Sequence, residues 1–120
     1  MGGDLMATQA KAIPTLNLEN LHRGGWLIEH VNIDNWGTEV ILQAIFDPAL
    51  PDTSRFKLVF SKCLTLTWDT EENEFDERDR VADVIGFDRY EELNQHKAVI
   101  TTDLFTLIIV YRELTLQKSG

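Results

Sequence analysis

FKLVFSKCLTLTW, residues 56–68, constrains what this chain can fold into more than any other stretch. Phe56, Leu58, Phe60, Leu64, Leu66 and Trp68 occupy one parity, while Lys57, Ser61, Thr65 and Thr67 occupy the other. Side chains of a strand alternate between two faces, so a run of this kind reads as a half-buried β-strand; it does not place its apolar groups along one side of a helix. Lys62 alone breaks the parity, which predicts either two strand segments joined by a bend at Ser61-Lys62 or one strand with a bulge there.

The neighbouring segments read the same way. WLIEHVNID sets Leu27, Val31 and Ile33 against Trp26, Ile28 and His30, and TEVILQAIF points Val40, Leu42, Ala44 and Phe46 inward. NWG between them is a turn signal, with Gly37 free to take a positive φ, so the two strands are antiparallel neighbours. DPALPDTS ends the second strand in a surface loop. The β-branched residues of RVADVIGFDRYEEL favour a strand interrupted at Gly86 over a helix, and KAVITTD is a further short strand. LFTLIIVYRELTLQ is apolar on both faces from Leu104 to Tyr111, which places it in mid-sheet or in a subunit contact, because an exposed edge this apolar would aggregate. The one helical signal is TLNLENLHRGG, with Thr15 or Asn17 as cap and Gly24-Gly25 as stop.

The expected class is therefore all-β or β-dominated: an antiparallel sandwich or curled sheet of about six strands with at most one or two short helices. Residues 1–14 are small and polar and end at Pro14, so they read as a flexible leader to a single β-rich domain over residues 15–120. A length of 120 residues suffices for one core without a metal or disulfide staple. Cys63, the one cysteine, excludes an intrachain disulfide and a cysteine-rich zinc site. The start has no apolar h-region and no later run reaches the ~18 apolar residues of a membrane span. The expected location is the cytoplasm, away from any membrane.

Twenty Asp and Glu against eleven Lys and Arg give a net charge of -9, which repels nucleic acid and anionic lipid. The charge is concentrated. Between Asp69 and Gln95 stand eleven acids and three bases, so this segment carries -8 of the total. As a calcium loop it fails at the two diagnostic positions, with Glu74 where an EF-hand needs Gly and Arg80 where it needs Glu. Two readings remain: a solvated loop that keeps a β-protein soluble, or a docking surface in which Glu71, Glu72, Glu74, Asp76, Glu77 and Asp79 meet a basic protein, with Phe75 as an apolar anchor. Trp36, set in the turn DNWGT, is the tryptophan expected to be partly exposed and joins that surface. In size, acidity and strand content the chain resembles several uncharacterised small bacterial proteins, including immunity proteins that neutralise basic toxins, a resemblance of general character that covers no motif.

Enzyme signatures are missing. His22, His30 and His96 lack metal-ligand spacing, Cys63 sits in a strand pattern without a nucleophile signature, and no phosphate loop or nucleophile elbow occurs. The reading that follows is a small acidic binding module, non-enzymatic and without cofactor, engaging a basic protein partner. Two alternatives come from other classes. One is a divalent-cation-dependent domain or small hydrolase using Asp79, Asp83 and Asp103 with His96. The other is a structural protein whose C-terminal strand LFTLIIVY pairs across a symmetric homodimer.

Overall fold

The computed structural model describes residues 16–70 and 81–118. The expected leader and the acids Glu71, Glu72, Glu74, Asp76, Glu77 and Asp79, with Phe75, lie outside the described residues.

A four-residue helix α1 (Leu18–Leu21) begins where Asn17 caps it, the Asn17 carboxamide oxygen accepting from the Asn20 amide at 2.8 Å. The chain then enters β1 (Leu27–Asp34), a 3-10 turn (Asn35–Gly37), β2 (Glu39–Ile45), β3 (Arg55–Ser61) and β4 (Thr65–Thr70). After the acidic stretch come β5 (Ala82–Glu92), β6 (Gln95–Thr102), β7 (Phe105–Tyr111) and β8 (Glu113–Lys118). All eight strands belong to one antiparallel sheet in the order β4-β7-β6-β5-β1-β2-β3-β8.

The β-dominated class holds, but the expected strand number of about six is corrected to eight. The two longest apolar runs are each broken once, and the breaks face each other. Lys62 takes φ 55 between β3 and β4, and Arg112 separates β7 from β8, its amide donating to the Ser61 carbonyl at 3.3 Å. On one side of this point Ser61 pairs with Glu113, and on the other Thr65 pairs with Val110. Three residues on one strand thus oppose two on the other, a bulge that turns both strands together. The Lys62 break shows in the sequence as the interrupted parity at that residue. The Arg112 break moves the core-facing parity from Phe105, Leu107, Ile109 and Tyr111 to Leu114 and Leu116, a shift masked in the sequence because β7 is apolar on both parities.

This bent ribbon makes both ends of the strand order. β4 and β8, the outermost strands, are the continuations of β3 and β7, so the sheet curls until its inner face encloses one core. Val40, Leu42, Phe56, Leu58, Phe60, Ile100, Leu107 and Ile109 are fully buried there. Each such side chain contributes about 1.5–3 kcal/mol through removal from water. Trp26 anchors the helix to this core. Its indole N–H donates to the Leu21 carbonyl at 2.8 Å, and its ring meets Phe56 at 5.5 Å and Phe87 at 5.9 Å. β7 lies between β4 and β6, which meets the expectation that this apolar strand sits within the sheet. Leu64, in the bend that leads into β4, and Trp68, on β4 itself, are partly exposed despite sharing the parity of the core residues, since β4 is an edge strand; Trp68 stacks on Phe105 at 4.2 Å.

Candidate functional site

The hairpin joining β1 and β2 carries the most conspicuous exposed group. Asn35, Trp36 and Gly37 all have positive φ, at 52°, 61° and 90°. The left-handed region costs a residue with a Cβ about 1–2 kcal/mol, so a bulky indole held there needs an explanation. No packing supplies one, because Trp36 is fully exposed. The tip is fixed instead by Thr38, whose amide and hydroxyl both donate to the Asn35 carbonyl, at 3.1 and 2.7 Å.

At the root of this tip, Asp34 and Glu39 are direct cross-strand partners. Like charges at such a pair destabilise a hairpin, and neither carboxylate has an ion pair among the described residues. Neither acid stands out from composition or charge runs. The signal was present in DNWGTE, since a short tip sets the residues on either side of it opposite each other.

The strands place Trp36 away from the roots of the acidic stretch. β4 ends at Thr70 opposite Phe105, and β5 opens at Ala82 opposite Ile28. Both roots meet at the β6–β7 turn. There the Thr102 hydroxyl donates to the Phe105 carbonyl at 2.8 Å, and the Asp83 amide donates to the Asp103 carboxylate at 2.8 Å. Trp36 lies about 25 Å further along β1 from Ile28, at ~3.3 Å per residue.

The other candidates fall as follows. Asp83 and Asp103 are brought together, the Asp103 amide also donating to the Asp83 carbonyl at 3.1 Å. His96 stands at the opposite end of β6, stacked on Tyr111 at 5.6 Å and 3.6 Å from Glu91. About seven residues at ~3.3 Å each separate it from Asp103, far beyond the ~2–2.6 Å of shared metal coordination. Among the described residues no group of three His, Cys, Asp or Glu side chains is arranged to hold a metal ion. His22 binds locally, its Nδ1–H donating to the Phe87 carbonyl at 2.9 Å beside Asp88 at 3.4 Å. Cys63 is buried, with its thiol donating to the Phe60 carbonyl at 3.4 Å, and burial pushes its pKa up, which disfavours the reactive thiolate. No helix among the described residues is long and apolar enough to cross a membrane.

A cavity of about 590 Å³ opens between the α1–β1 connection and the β2–β3 loop. Its walls include Leu16, Phe46 and Pro48, and its lining includes Arg23, Arg55 and Lys118. No spacing in the sequence announces this set, which comes from the two ends of the described chain and its middle.

No protein-family model matches the chain, and comparison with curated proteins gave no match. Its fold is similar to that in the crystal structure of an uncharacterized protein from Neisseria gonorrhoeae, with a TM-score of 0.60 at 10% identity over 80% of this chain and 93% of that one. At that identity the likeness concerns the fold alone.

Proposed function

We propose that this protein is a non-enzymatic binding module that engages a basic protein partner. The observation that carries the reading is Trp36, held at φ 61 with its indole fully exposed on a tip whose flanking residues Asp34 and Glu39 are cross-strand partners. A lysine or arginine of the partner placed between these carboxylates relieves their repulsion and presents its cation to the indole face. Aromatic residues of this kind supply much of the binding energy of protein interfaces.

The acids of residues 71–79 supply the field that attracts a basic surface, and their roots lie about 25 Å from Trp36 along β1. An interface of ordinary size, about 800 Å² on each partner, is roughly 30 Å across, which matches the distance between Trp36 and those roots. Charge then governs encounter and partner sign, while the indole governs residence.

The test is affinity capture from a lysate of the source organism at low and high salt, with mass-spectrometric identification. It is repeated with Trp36→Ala and with the acids of residues 71–79 changed to Asn and Gln. The expected result is a basic protein that is lost at high salt, lost with the acid variant and released about tenfold faster from Trp36→Ala. Capture that is indifferent to salt and to both variants would refute the proposal.

A further inference from the structure

Charge around the cavity runs opposite to that of the molecule. The described residues hold thirteen Asp and Glu against eight Lys and Arg, yet the cavity lining holds Arg23, Arg55 and Lys118 against the single carboxylate of Asp47. Two of these charges are already satisfied. Arg55 donates to Glu29 at 3.2 Å and to Asp52 at 3.1 Å, and the Asp47 carboxylate accepts from the Ala49 amide at 2.9 Å. Arg23 and Lys118 have no ion pair among the described residues. Two unpaired cations therefore share the lining of one cavity in a strongly acidic protein.

Below them the walls are apolar. Leu16 and Phe46 are partly buried and pack against the core, and Pro48 stands beside them. The volume of about 590 Å³ lies within the ~300–1,000 Å³ of small-molecule sites, which combine apolar walls with a few polar groups that fix orientation. The Ser54 hydroxyl at this cavity is consumed by the β2–β3 loop, donating to the Leu50 carbonyl at 2.7 Å and accepting from the Asp47 amide at 3.0 Å. Recognition there falls to charge and apolar contact.

We propose that this cavity binds a small amphipathic anion, a carboxylate or phosphate head group on an apolar tail, with the head held by Arg23 and Lys118 and the tail against Leu16, Phe46 and Pro48. A neutral apolar molecule leaves the two cations unpaired, and a cation adds to their repulsion. The site is separate from the Trp36 hairpin, so it stands whether or not that hairpin binds a protein.

The full chain is titrated by calorimetry with decanoate and decyl phosphate as probes, butanoate as a short-tail control and decyltrimethylammonium as a control of opposite charge. Amide NMR locates the contact. Decanoate, decyl phosphate or both bind below about 1 mM, and at least about tenfold more tightly than butanoate or decyltrimethylammonium. The amides of Gly24, Gly25 and Ser54 move, and the tighter of the two anions identifies the head group. The double variant Arg23→Gln/Lys118→Gln binds at least about tenfold more weakly at unchanged melting temperature, because both side chains are exposed and unpaired. The proposal is overturned by binding of the cation as tight as that of the anions, by no anion binding at about 1 mM, by shifts elsewhere in the chain, or by full affinity in the double variant.

Discussion

Trp36 is a residue whose cost and use oppose each other. Its backbone sits at φ 61, ψ 29, where glycine is at ease and a side chain is not, and its indole gains nothing from burial. Relief of left-handed strain, about 1–2 kcal/mol, exceeds the ~0.5–1 kcal/mol of extra chain entropy that glycine brings to the unfolded state. Trp36→Gly is therefore expected to raise stability by about 0.5–1 kcal/mol and the melting temperature by a few degrees, read by calorimetry. A fall in melting temperature would mean that the indole packs in solution. Gain of stability with loss of partner capture in Trp36 variants is the pattern of a residue kept for binding. Asp34 and Glu39 add to that pattern, since a facing pair of like charges does nothing for the hairpin itself.

At the scale of elements, local alternation made most of the strands legible, because a strand with one buried face writes period two into its residues. Asn17, the Gly24-Gly25 stop and the irregularity at Gly86 were legible from turn chemistry in the same way. What alternation cannot carry is pairing. The strand order and the convergence of Arg23, Arg55 and Lys118 on one cavity depend on long-range contacts that leave no periodic trace. The exposure of Leu64 and Trp68 has the same origin, since parity assigns a face but not an edge. The α1–β1 connection shows how one such contact is secured. A Cβ on Gly24 would stand 2.5 Å from the Ile85 carbonyl oxygen on β5, whereas one on Gly25 would meet nothing within 4 Å, and both residues have positive φ. Gly25→Ala is expected to cost about 1–2 kcal/mol from strain alone. Gly24→Ala must also displace β5 backbone, so it is expected to cost at least about 1 kcal/mol more, read as the difference in urea midpoints. Equal costs would show that β5 yields freely at its irregularity.

For the whole molecule, the curled sheet sets the alkaline limit of stability through two groups inside its bend. Tyr111 is buried with its ring 5.0 Å from Phe60, and Cys63, buried too, is one of the residues of the bulge opposite it. Burial raises both pKa values, and the nearby Arg89 only partly opposes it at Tyr111. Ordinary values are about 8.5 for the thiol and about 10 for the phenol, so the unfolded chain releases these protons at lower pH than the folded one. Above those values the unfolded state binds fewer protons, and stability falls with rising pH until the folded groups also ionise. The stabilisation is thus complete below pH ~8.5 and is lost upward from there, first through Cys63 and then through Tyr111. Melting temperatures measured from pH 7 to pH 11 are expected to decline along this limb. Cys63→Ala is expected to flatten its lower part and Tyr111→Phe its upper part, each beyond the constant offset caused by altered packing. If both variants decline in parallel with the parent, the alkaline loss belongs instead to the general self-repulsion of a chain of net charge -9, which added salt would relieve.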